Sequence, residues 1–118
     1  MLYTNLKHIE SAAEYRSIIS ESQKLVVICG RMDPVCIPLF RIAEELAVQF
    51  TQIKFYDMEF DNPEAYVVRN LPEVCGFTET PFAIYYKGGQ VVKAMSGIQS
   101  KVQISDIIER EFSSAVNF

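Results

Sequence analysis

The chain has 118 residues, 49% hydrophobic and 22% charged, with 15 acidic against 11 basic side chains and a net charge of -4. That length suits one domain over 1–118 with a core that needs no disulfide staples, and the composition excludes a disordered chain. No Lys/Arg cluster marks a nucleic-acid surface, no apolar run approaches the about 20 residues of a membrane span, and Met1–Asn5 lacks the pattern of a signal peptide. A cytoplasmic protein is the expectation. Its three cysteines are too few for a secreted disulfide scaffold.

Leu2 to Leu6 is predicted as a short first strand. Ser11-Ala12-Ala13-Glu14 has the form of a capping box and opens a helix to about Ser20, with Ala12, Tyr15, Ile18 and Ile19 as its apolar stripe. Lys24 to Cys29 is a continuous apolar run, the mark of a strand covered on both faces. Asp33 followed by Pro34 predicts the start of a second helix, with an N-cap and a proline at the first helical position. Ile37, Phe40, Ile42, Ala43, Leu46, Ala47 and Phe50 recur at helical spacing, and Pro38 is expected to kink this helix near its start.

Ile53 to Phe60 reads as the next strand. Asp61-Asn62-Pro63 starts a third helix to about Asn70, and Pro72 breaks it. Pro81 to Tyr86 and Val91 to Met95 are strands joined by a hairpin at Lys87-Gly88-Gly89-Gln90. Ser100-Lys101-Val102-Gln103 is a second capping box, with Val102, Ile104, Ile107, Ile108 and Phe112 as the apolar set of the last helix. Ser113 to Phe118 is expected to fray. The order β-α-β-α-β-α-β-β-α implies a parallel core with crossover helices and an antiparallel edge.

Asp33-Pro34-Val35-Cys36, at the point where an apolar strand gives way to a helix, is the most informative stretch. With Asp61-Asn62-Pro63, Thr80-Pro81-Phe82, Lys87-Gly88-Gly89 and Gly97 in the same order and at near-family spacing, the chain resembles the thioredoxin family over nearly its whole length. The resemblance implies a thioredoxin-like three-layer α/β sandwich with a mixed sheet. It aligns Asp33 with the attacking cysteine of Cys-x-x-Cys and Cys36 with the resolving cysteine. Met32 stands where the family has tryptophan. Val27 takes the place of a buried aspartate, and the lysine that usually partners it falls at Asp57. The segment around Asn70-Leu71-Pro72-Glu73-Val74 is longer than the family's.

Each candidate residue carries two readings. Asp33 is an N-cap alone, or a permanent anion in a site that recognises partners without reducing them; an engineered Cys→Asp exchange would leave the same residue. Cys36 is an inert thiol of raised pKa or a slow monothiol nucleophile. Asp57 is a hydrogen-bonded aspartate at the sheet's end or a proton acceptor for Cys36. Cys29 and Cys75 serve packing, or one of them pairs with Cys36. By resemblance, Thr80-Pro81 carries a cis bond beside the site. Met32, Pro34, Thr80, Pro81, Gly97 and Ile98 would then line a groove for an extended segment.

No metal site is expected, because the cysteine spacings match no zinc pattern and the one histidine, His8, is remote from them. No cofactor is implied. The resemblance points to thiol–disulfide exchange with protein disulfides and to a thioredoxin-reductase-type electron donor. The missing attacking thiol implies weak or absent dithiol reductase activity. The alternative is a non-catalytic module that binds an extended protein segment at the Pro81 groove.

Overall fold

The structure, a computed structural model, describes residues 2–113. Its centre is a five-stranded mixed sheet in the order β1-β3-β2-β4-β5: β1 is Lys7–Ile9, β2 Lys24–Gly30, β3 Lys54–Glu59, β4 Phe82–Lys87 and β5 Gln90–Ser96. β1, β3 and β2 run parallel, while β4 is antiparallel to β2 and β5 to β4. The antiparallel part thus begins one strand earlier, at the centre of the sheet, than a hairpin at the edge alone implies. The apolar run becomes β2, buried from Leu25 to Gly30 because strands and helices cover it on every side.

Helices cover both faces. One face holds Val26, Ile28, Phe55, Ala83 and Tyr85 against α2 (Ile37–Gln49) and α4 (Lys101–Phe112). The other holds Leu25, Val27, Cys29, Met58, Ile84 and Tyr86 against α1 (Ala12–Glu21) and α3 (Tyr66–Arg69). Strand alternation sends neighbouring residues of β2 to opposite layers. At the β4–β5 hairpin Gly88 and Gly89 have φ of +59° and +83°, backbone that only glycine takes without strain.

Several sequence expectations shift. The first strand is Lys7–Ile9 rather than Leu2 to Leu6. Leu2 and Leu6 are buried in the core, but the Leu6 N–H donates to Thr4 Oγ1, a local bond that competes with a ladder. α1 begins at the Ser11 cap as expected, with Ser11 Oγ accepting from the Glu14 N–H; the Glu14 carboxylate accepts instead from the Glu10 N–H. α2 starts at Ile37, not Asp33. Pro38 has no N–H to return to Pro34, so the expected kink becomes the helix start, with Pro38 in the first turn. In the third helical segment the cap is Asn62, whose Oδ1 accepts from the Glu64 N–H, and a 3-10 turn at Pro63–Ala65 leads into α3. The α4 capping box is complete, but Val102 is 68% exposed and lies outside the apolar stripe. Of the stretch expected to fray, all but Ser113 lies outside the described residues.

Candidate functional site

β2 delivers the chain to the end of the sheet, and residues 31–36 turn it into α2. Asp33 organises that turn. Its Oδ1 accepts the N–H groups of Cys36 at 2.8 Å and Val35 at 3.1 Å, and its carbonyl accepts the Ile37 N–H at 2.9 Å. The Cys36 N–H, then the Cys36 thiol and the Val35 N–H, hold the Asp33 carboxyl below the usual carboxylate range. The group is an anion at neutral pH, fixed where three backbone donors converge on one residue.

Cys36 has no exposed surface. Its Sγ packs on Gly30, whose missing side chain makes the room: a Cβ there would lie 3.1 Å from Cys36 Sγ and 3.3 Å from Pro81 Cβ. Burial pushes the thiol's pKa up, and the Asp33 carboxylate pushes the same way; the Arg31 N–H and the Thr80 hydroxyl oppose them. The thiolate that exchange chemistry needs is disfavoured on two counts.

Thr80-Pro81 is a cis peptide. Pro81 is buried, and its carbonyl accepts the Gly97 N–H at 2.8 Å. Gly97 has a φ of +86°, and the Glu79 carboxylate lies over it, so a side chain there would meet both backbone strain and Glu79 Oε1. Among the described residues, neither the N–H nor the carbonyl of Thr80 has a backbone partner. The structure therefore brings together Asp33, Cys36, Thr80, Pro81 and Gly97. Pro34 is exposed, as is Ile98 at 78%. Met32 is half-buried against the core, and its Sδ accepts the Tyr3 N–H at 3.3 Å.

Asp57 is also fully buried, but its partners lie elsewhere. Thr4 Oγ1 donates to Oδ2 at 2.5 Å, and His8 Nδ1 lies 2.6 Å from Oδ1. Burial raises the Asp57 pKa, against the opposing pull of Thr4 and His8. Its hydrogen bonds tie the N-terminal segment to β3, and none reaches Cys36.

All three cysteines are free. Cys29 faces the α1/α3 layer and Cys36 the α2/α4 layer, so the sheet separates them. Cys75 is exposed in the turn after α3. Among the described residues no cluster of three or more His, Cys, Asp or Glu is placed to hold a metal ion, and no helix is long and apolar enough to cross a membrane.

A cavity of about 630 Å³ opens beside Asp33, toward the long segment that follows α3. Asp33, Val35 and Thr80 line it together with residues that sequence reasoning passed over: Arg31, Phe60, Arg69, Val74, Phe77 and Glu79. Arg31 donates bidentately to Asp61, at 2.7 and 3.1 Å, and lies 4.6 Å over the Phe60 ring; Arg69 donates to the carbonyls of Phe60 and Asn62. The signal in the sequence was the segment around Asn70-Leu71-Pro72-Glu73-Val74. It folds as tight turns, in which the Val74 and Cys75 N–H groups donate to the Leu71 carbonyl and form the cavity's outer wall.

No family model matches the chain. Among curated proteins it is similar to Thioredoxin-2 of Saccharomyces cerevisiae, 28% identical over 95 residues that cover 75% of this chain and 83% of that protein. Among solved structures it superposes on a Plasmodium falciparum thioredoxin with a TM-score of 0.75 at 24% identity, covering 90% of this chain and 99% of that one. It superposes equally on mitochondrial thioredoxin 3 of Saccharomyces cerevisiae in its oxidized form, with a TM-score of 0.76 at 17% identity, covering 89% and 94%.

Proposed function

We propose, from the premise that this chain belongs to the thioredoxin family of redox proteins, that it is directed to protein disulfides but is weak or inactive as a dithiol reductase. The observation that carries this reading is Asp33. Its carboxylate sits on the Val35 and Cys36 N–H groups, where a thiolate would have to sit to attack a disulfide. An attacking thiolate forms a mixed disulfide that the second thiol then resolves. A carboxylate forms no bond to sulfur that this step can use, so the cycle lacks its first half. Cys36 is a poor substitute, being buried and raised in pKa.

The test is dithiothreitol-driven reduction of a disulfide-bonded protein by the wild-type chain, by Asp33→Cys and by a blank. The expected result is that only Asp33→Cys exceeds the blank, and that a thioredoxin-reductase-type donor can then serve the restored pair. Activity of the wild type above the blank would mean that Cys36 attacks on its own. Inactivity of both would defeat the redox reading. A second reading, a non-catalytic module for an extended protein segment, is favoured by the unpaired backbone of Thr80 beside Asp33.

A further inference from the structure

Residues 2–6 precede β1, and Leu2 and Leu6 are buried in the same core cluster as Cys36, Leu39 and Phe40. Yet among the described residues Leu2, Tyr3, Thr4 and Asn5 make no backbone–backbone hydrogen bond. Side chains of other elements hold the segment instead. The Tyr3 N–H donates to Met32 Sδ, the Tyr3 carbonyl accepts from Arg41 Nη1 at 3.4 Å, and the Asn5 N–H donates to Glu44 Oε2 at 2.6 Å. The deepest anchor is Asp57. Thr4 Oγ1 donates to its Oδ2 at 2.5 Å, and the Leu6 N–H donates to the same Thr4 hydroxyl. His8 Nδ1 lies 2.6 Å from Asp57 Oδ1; the carboxyl is fully buried, while His8 is 32% exposed. A cavity of about 80 Å³, enough for a water molecule, is lined by Leu2, His8, Glu10, Asp57 and Glu59.

We propose that residues 2–6 are a strap latched by a proton at the Thr4–Asp57–His8 cluster: it opens on its own, with the rest of the domain folded, and does so more readily once Asp57 gives up that proton. Opening uncovers Leu2 and Leu6 and breaks side-chain bonds, whereas unfolding exposes the whole core, so the local event costs less. It also releases Met32, the residue before Asp33, from its Tyr3 contact. The proton acts through water. With the strap shut, an ionised Asp57 lacks the hydration that opening returns to it. Burial raises the Asp57 pKa against the pull of Thr4 and His8, and Glu44 on α2 pushes the same way as burial. The other titratable groups toward it are His8 from β1, Glu10 and Glu59 around the cavity, and Arg41, which is paired with Glu44. A pKa raised in the shut state means that this state holds the proton more tightly. The strap is therefore firmest below the open value of about 4 and loosens as pH rises through the shut one.

The experiment is amide hydrogen exchange followed by NMR between about pH 4 and pH 7 on the wild type, Asp57→Asn and His8→Gln, each rate divided by that of an unstructured peptide at the same pH. The Leu6 N–H reports the strap, and the Val27 N–H, at the centre of β2, reports global unfolding and shows that each variant is folded. Leu6 should be at least about tenfold less protected than Val27 throughout. Its protection should fall at least about threefold from the acid to the neutral end in the wild type, and should not fall in Asp57→Asn. His8→Gln should lower it about fivefold at the acid end, the scale of a partly exposed pair. Equal protection of Leu6 and Val27 would mean that the strap opens only when the domain unfolds, and would overturn the proposal. A fall that survives Asp57→Asn, or a His8→Gln variant without effect, overturns it too, because the latch then lies elsewhere. If Asp57→Asn does not fold, the wild-type comparison and the His8→Gln arm decide.

Discussion

Asp33 and Asp57 are the same functional group in opposite settings, and each stands where the resemblance places something else, a cysteine and a lysine. Asp33 lies at the surface of a turn, and the N–H groups of Cys36 and Val35 lower its pKa. Asp57 has no exposed surface, and burial raises its pKa although Thr4 and His8 both bond it. The difference shows that hydrogen bonds alone do not set a carboxyl's charge. Where water remains, two backbone donors are enough to favour the anion. Where water is gone, two side-chain partners do not repay the lost hydration. Asp33 is therefore an available charge, and Asp57 a fastening between the N-terminal segment and β3.

The largest break in this contrast should come from Asp57→Ala, which removes the buried acceptor that the half-buried Thr4 hydroxyl and His8 share. The expected loss is about 3 kcal/mol in urea unfolding. Asp33→Ala in the same assay should cost clearly less, and equal losses would mean that Asp33 is as structural as Asp57. Next is Gly30→Ala, which probes how tightly the Asp33 side is built. A Cβ 3.1 Å from Cys36 Sγ should cost about 2 kcal/mol, and pairing it with Cys36→Ala should recover part of that cost. Additive losses in the double variant would show that the thiol is not what the new methyl meets.

The pH dependence sharpens the comparison further. Asp57 has a raised folded pKa, so its contribution is full below the unfolded value of about 4 and declines as pH rises through the folded one. Asp33 has a lowered folded pKa, so its contribution is present above about 4 and is lost as pH falls through the folded value. Stability differences between wild type and Asp57→Asn, and between wild type and Asp33→Asn, should therefore slope in opposite directions across that range. Parallel slopes would refute the contrast.

Thiol labelling gives a smaller readout. In the folded chain Cys75 should react first with a disulfide reagent, while Cys29 and Cys36 should wait for unfolding. Asp33→Cys should add a second fast thiol. The smallest effect is expected from Asp61→Asn. It breaks the exposed bidentate pair with Arg31 and should cost at most about 0.5 kcal/mol.

Most of the fold was legible because its signals are local. The unbroken run Leu25–Cys29, the Ser11 and Ser100 caps and the Gly88-Gly89 hairpin each constrain a few neighbouring residues, and each appears in place. The first strand was misplaced because the Thr4 hydroxyl diverts the Leu6 N–H, a competition that apolar spacing does not reveal. Val102 fits the helical period but sits at the exposed edge of α4.

At the site, the residues recognised from motif positions lie around Cys36 and Pro81. Arg31, Phe60, Arg69 and Glu79 escaped notice because they come from separate loops that only the folded sheet end brings around one cavity. The order of elements and the glycines that turns require follow from local sterics and local hydrogen bonds along the chain, and the carboxylate at position 33 is read there directly. That Cys36 is sealed against Gly30, that Asp57 belongs to Thr4 and His8, and that Arg31 pairs with Asp61 follows from the packed fold alone. Burial and charge pairing are sums over neighbours distant in the chain, and no short stretch of sequence contains them.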